Sequence, residues 1–175
     1  MRNAFKLTAI FLIGLAIASA CKKKTNNPVE FSIDAQNLTP CTEGNCRFEY
    51  VNYSEMPDEQ GTVKTGQYRI FSVTKSNSFS TTRIYMQVPM QDDDRFLLTD
   101  ADIQAGKVKY LFSCPACDYF NLVPIAGTVK GVKIADLNNS AEKWLLDAHL
   151  VLAAEKSKTP VDTIHIKQYF SLAVK

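Results

Sequence analysis

A chain of 175 residues, 46% of them hydrophobic and 10% aromatic, is long enough for one domain with a substantial core and too apolar for an intrinsically disordered one. Its formal charge of +2 conceals an asymmetry: five of the 20 basic residues fall before Thr25, and none of the 18 acidic residues does. Beyond Lys24 the balance is 15 against 18, near −3, and the concentrated basic face of a nucleic-acid binder is excluded.

The first stretch is set apart by its order of residue types. Arg2 and Lys6 make a basic start, residues 7–17 are almost wholly apolar, and Ala18-Ser19-Ala20 place three small side chains before Cys21. The apolar run is shorter than the about 20 residues a helix needs to cross the hydrocarbon of a bilayer. Basic start, short apolar run and small-residue end are the parts of a secretory signal. With a cysteine at the cut, the segment resembles a bacterial lipoprotein signal, whose thiol is acylated and becomes the new N-terminus. The resemblance covers about the first twenty residues and implies lipidation at Cys21. Lipoproteins held at the inner membrane commonly carry aspartate next; Lys22 stands there, which implies sorting to the outer membrane. The expected division is a signal over 1–20, a lipidated flexible tether over 21–29, and one mostly β domain over 30–175.

Along that domain, Phe31, Ile33 and Ala35 alternate with polar residues and predict a strand over 30–35. Asn37-Leu38-Thr39-Pro40 breaks it, and residues 47–53 resume the alternation with Phe48 and Tyr50 on one face. Residues 56–66 carry the Pro, Asp, Glu and Gly of a loop. Residues 68–74 and 81–88 are β-branched and aromatic, joined by Lys75-Ser76-Asn77-Ser78, and predict a hairpin. After the polar break at 91–95, Thr99 as N-cap, Asp102 at the capping-box position and Gly106 at the end predict one short helix near 100–105. Strands follow over 107–112 and 121–135, with Gly127 and Gly131 marking a turn or bulge. Gly61-Thr62-Val63-Lys64 recurs as Gly127-Thr128-Val129-Lys130, a faint internal echo that two related half-sheets would produce and that chance explains as well, such β-turn words being common.

Residues 143–155 satisfy two periods. Trp144, Leu146, Ala148, Leu150 and Leu152 suit a strand; Ala141, Trp144, Leu145, Ala148, Val151 and Leu152 suit a helix capped by Ser140. Composition favours the helix and the β context favours a strand, paired through 156–161 with the alternating run over 163–174; the segment stays ambiguous, with a strand the expectation. The expected fold is therefore mainly β, an antiparallel sandwich or barrel.

Removing Cys21 to a thioether leaves Cys41, Cys46, Cys114 and Cys117, an even set that forms disulfides in an oxidising compartment, with three connectivities open. A CxxxxC with a CxxC also fits a four-thiolate zinc site. As a redox pair, Cys114 and Cys117 lack a helix start or cation, and Asp118 follows them. Asp92-Asp93-Asp94 lacks the alternating ligands and closing glutamate of a calcium loop, and His149 and His165 stand in paired strands without a placed carboxylate, so no metal site or cofactor is expected. Trp144 is read as a core anchor, and Tyr50, Tyr53, Tyr68, Tyr85 and Tyr110 as a sugar-binding surface if they converge. No Gly-x-Ser-x-Gly elbow, phosphate loop, HExxH or carboxylate dyad is present, and no catalytic residue is assigned. The expectation is a non-enzymatic lipoprotein of the cell envelope, anchored in the membrane by its lipid, whose β domain binds an envelope protein or glycan. The alternatives are a cysteine-dependent zinc or thiol protein and a purely structural one.

Overall fold

A computed structural model describes residues 31–42, 44–90, 93–117, 121–134 and 142–174. These residues are mainly β. Eight strands, β1 (Asn45–Ser54), β2 (Tyr68–Ser76), β3 (Thr81–Pro89), β4 (Arg95–Leu98), β5 (Val108–Ser113), β6 (Leu122–Ile134), β7 (Lys143–Ala154) and β8 (Pro160–Leu172), form one sheet of order β4-β6-β7-β8-β1-β2-β3-β5. The sheet curls into a half-barrel. All neighbours are antiparallel except β1 and β8, which run parallel and share the two register positions Glu49↔Ser171 and Tyr50↔Leu172. That one pair makes the sheet mixed. Among the described residues no helix is long and apolar enough to cross a membrane.

Alternation along the strands fills the concave side. Tyr50, Phe71, Val73, Ile84, Met86, Val88, Val129, Trp144, Leu146, Ala148, Leu150, Ile166 and Phe170 converge on one buried core. Phe71 is its centre: ring centroids of Tyr50, Trp144 and Phe170 lie 5.6 Å away and that of Phe96 5.2 Å. Edge-on and offset aromatic pairs of this kind add about 0.5–1.5 kcal/mol each beyond the area they bury.

The ambiguous stretch over 143–155 is strand β7, laddered along its length to β6 on one side and β8 on the other. Trp144, Leu146, Ala148, Leu150 and Leu152 point inward as period two requires, and Trp144 is 2% exposed. Leu145 and Ala153, on the opposite face, are buried as well, and it is this burial on both faces that gives the sequence its helical look. The hairpin of β2 and β3 is paired without a break, its turn held by Asn77, whose side-chain carbonyl accepts the N–H groups of Phe79 and Ser80.

The expected short helix is a single turn, α1 (Asp100–Asp102), running into a π-type turn Ile103–Lys107. The Asp102 carboxylate accepts the Thr99 N–H at 2.9 Å and its hydroxyl at 3.0 Å, and Gly106 ends the turn at φ 81°. Lys107 reaches the same carboxylate at 2.6 Å.

Two expectations are corrected. Residues 31–35 form no strand; Phe31 and Ile33 are half-buried, so their alternation reports a packed side and not a ladder partner. The Phe31 carbonyl accepts from Arg95 of β4, whereas Thr39 docks on β8, donating its N–H to the Lys167 carbonyl and accepting the Lys167 N–H on its hydroxyl. Strand β4 was hidden behind a polar break; its four residues are too few to show a period, though Phe96 packs against the core and Leu98 is buried within it. The internal echo is the chance recurrence of a turn word and no repeat of structure, since residues 61–64 lie in the loop between β1 and β2 and residues 127–130 in β6.

The registers place the start of β1, the β2–β3 turn, the end of β5 and the β7–β8 turn at one end of the half-barrel, the cysteine end. Arg95, which holds Phe31, pairs with Val132 near the other end.

Candidate functional site

The curled sheet does not close. Among the described residues β5 pairs only with β3, and residues 122–128 of β6 pair only with β7, because the short β4 reaches β6 from Val129 to Val132 alone. The two strands thus face each other across a seam, and the seam holds a cleft of about 540 Å³, within the roughly 300–1,000 Å³ usual for small-ligand pockets. Ile103, Val108, Leu122 and Pro124 give it an apolar lining, and Glu59, Arg83, Lys109, Tyr110, Asn121 and Glu155 supply polar groups.

The edge of β6 is guarded against another strand. The Gly127 N–H donates to Asp100 Oδ1 at 2.6 Å, Gln104 Nε2 donates to the Ile125 carbonyl at 3.4 Å, and Pro124 has no N–H. An edge whose hydrogen-bonding groups are already used or missing is a poor template for strand addition. The α1 turn therefore leaves the cleft to side-chain recognition.

Charge at the cleft is arranged by the loop over 55–66. Asp58 accepts the Thr62 and Gln60 N–H groups, and chiefly the bond from Thr62 holds its carboxyl below the usual range. Neighbouring Glu59 meets Lys109 at 2.7 Å, and Lys109 also donates to the Pro57 carbonyl at 3.1 Å. Burial pushes the Tyr110 phenol above its ordinary value. Arg83 and Glu155 add one charge of each sign.

Cys41 and Cys46 lie at disulfide distance with Cα atoms 6.0 Å apart, and Cys114 and Cys117 likewise at 5.3 Å. Of the three possible connectivities the one made of two local pairs is present. Both pairs sit at the cysteine end, but β2 and β3 separate β1 from β5, which keeps the pairs from converging as four ligands of one ion. The tyrosines do not converge either: Tyr50 is in the core, Tyr85 is buried beside Gly61, Tyr68 is half-buried at the start of β2, Tyr53 is 67% exposed and Tyr110 lines the cleft. Asp93 and Asp94 are exposed, and Asp92 lies outside the described residues. Cys21 and the segments 1–20 and 21–29 also lie outside them.

His149 and His165 are direct cross-strand partners with stacked rings, centroids 3.9 Å apart. Asp147, two residues before His149 and so on the same face, supplies the carboxylate absent from the sequence reading: its Oδ1 is 2.9 Å from His165 Nε2 and 3.5 Å from His149 Nε2. The period-two spacing Asp147-x-His149 was the available signal. The cleft residues had none, since Glu59, Arg83 and Glu155 come from three distant parts of the chain.

A further polar group, missed in sequence, lies at the end opposite the cysteines. Arg69, 9% exposed, stacks over Trp144 at 4.6 Å and Tyr50 at 5.3 Å, and bonds Glu142 at 3.0 Å. Glu142 also accepts Trp144 Nε1 at 2.6 Å and pairs with Lys133 at 3.2 Å. Burial acts to raise the Glu142 carboxyl, but the Trp144 hydrogen bond, Arg69 and Lys133 together outweigh it and hold it below its ordinary value. With every group partnered, this cluster reads as a plug.

No protein-family model, curated protein or solved structure matches the chain, so its own geometry carries the functional reading.

Proposed function

We propose that this protein is an exported, lipid-anchored, non-enzymatic binding protein, tethered by Cys21 at the outer membrane, that takes a small amphiphilic ligand in the cleft between β5 and β6. The observation that carries the reading is the cleft itself: an unclosed seam with an apolar lining and charged groups of both signs, next to an edge already capped against strand addition. A ligand with an apolar body and polar or zwitterionic ends, such as a short glycan or an envelope peptide fragment, matches it. Two local disulfides in an exported domain agree with this reading.

Two measurements test the proposal. Labelled palmitate enters the wild type and not Cys21→Ala, which is released from membranes; equal anchoring of the variant overturns the lipid reading. Titration with a panel of short glycans and peptides shifts amide resonances of Arg83, Lys109 and Tyr110, and Arg83→Glu weakens the response at least tenfold. A response elsewhere, or one indifferent to Arg83→Glu, overturns the cleft reading.

A further inference from the structure

We propose that Asp147, His149 and His165 form a binding site for a divalent transition-metal ion, of the zinc, copper(II) or nickel(II) kind, on the convex face of β7 and β8. The site is independent of the seam, which lies on the other flank of β6.

Three features of the fold bring the donors together. In an extended strand residues two apart share a face, so Asp147 and His149 project from β7 side by side. The register of β7 with β8 sets His165 directly opposite His149, where cross-strand side chains stand about 5 Å apart at Cβ. Gly127 of β6 then fixes the ladder from behind: it has φ 134°, and a Cβ there would collide with the His149 carbonyl, so β6 packs flush against the backbone that carries the ligand. Asp147 and His149 therefore project from a strand laddered on both sides, a rigid base, with His165 held opposite on β8.

The side chains are oriented toward one point. Both Nε2 atoms face the same oxygen, Asp147 Oδ1, at 2.9 and 3.5 Å, and one ligand atom from each residue lies within 4.8 Å of the others. Ligands on a zinc ion with bonds of about 2.1 Å stand roughly 3.4 Å apart, so modest χ rotations close the set. Those rotations are open to the two rings, whose side chains are 56% and 45% exposed. Each imidazole would bind through Nε2 and keep its proton on Nδ1.

Donor chemistry selects the ion. Two imidazoles and one carboxylate suit zinc, copper(II) and nickel(II), and are poor for magnesium or calcium, which take oxygen donors. The charged neighbours on this face are Lys130 of β6 and Lys167 of β8, both register partners of Asp147. Lys167 is drawn off toward the Gln36 carbonyl at 3.3 Å. Three protein ligands leave at least one coordination position for water or for a donor from a partner.

Calorimetric titration of the intact, disulfide-oxidised protein with zinc chloride tests the site. One zinc per chain is expected, with binding weakened roughly 10- to 100-fold in each of His149→Gln, His165→Gln and Asp147→Asn. The two histidines are exposed and none of the three positions is in the core, and unchanged thermal melting in the absence of metal shows that the variants fold. Electron paramagnetic resonance of one equivalent of copper(II) gives a second readout, with coupling to two imidazole nitrogens expected in the wild type and to one in either histidine variant. Absence of saturable zinc binding, binding indifferent to His165→Gln, or a copper spectrum unchanged by both histidine variants overturns the proposal.

Discussion

The guanidinium of Arg69 lies over the Trp144 ring, 4.6 Å from its centre, and bonds the Glu142 carboxylate at 3.0 Å. A buried cation is thereby neutralised and stacked in one arrangement. The cost of removing Glu142 is largely the cost of leaving Arg69 without its counter-charge. Glu142→Gln keeps an acceptor for Trp144 and loses the charge, and is expected to destabilise by about 2 kcal/mol at neutral pH. Because the folded-state pKa of Glu142 lies below its ordinary value, its contribution is complete above the unfolded-state value and is lost as pH falls through the folded one. Melting temperatures from pH 7 downward should therefore fall more steeply for the wild type than for Glu142→Gln, and the two curves should converge in acid.

Phe71 touches four other aromatic rings at the centre of the half-barrel and is 0% exposed. Truncation leaves a cavity that strands held by ladders on both sides cannot close. Phe71→Ala is expected to cost about 3–5 kcal/mol by denaturant unfolding, whereas Phe79→Ala, at a hairpin tip and 78% exposed, should change stability by less than about 0.5 kcal/mol.

Two glycines separate backbone conformation from packing. Gly106 has φ 81° with open space where a Cβ would stand; Gly127 has φ 134° and no such space, because the His149 carbonyl occupies it. Gly106→Ala should cost about 1 kcal/mol. Gly127→Ala should cost about 2 kcal/mol or more and perturb the β6–β7 ladder as well, seen as faster amide exchange at residues 148–150.

The paired cysteines close loops of sequence separation 5 and 3. In the chain-entropy model such short loops contribute about 2 kcal/mol or less each. Intact mass should rise by four hydrogens on full reduction, and the reduced protein should still unfold cooperatively at a somewhat lower temperature. Collapse on reduction would show that the thiols do more than close loops.

Much of the fold was legible because strands write their pleat into the chain. The β2–β3 hairpin, the inward face of Phe48 and Tyr50, and the Thr99 and Asp102 capping box each depend on residues within a few positions of one another, and each is present. Local reading failed where local order does not decide. Residues 31–35 alternate as a strand does, yet join no ladder; Arg95–Leu98 pairs as a strand, yet four residues carry no period.

By itself, the sequence determined a mainly β domain, the alternation of its strands, an even set of four cysteines beyond Cys21, and the order of residue types over 1–21 from which a lipid anchor is proposed. All of these follow from nearest-neighbour chemistry and from period two. Only the tertiary structure decided that 143–155 is a strand, since the tie was broken by β6 and β8 on its two sides. It likewise set His149 against His165 with Asp147 between their nitrogens, buried Arg69 against Glu142, and left β5 and β6 apart with a cleft between them. Register and curl are properties of the whole sheet, settled by summed burial and ladder hydrogen bonds, and no stretch of the chain contains them alone.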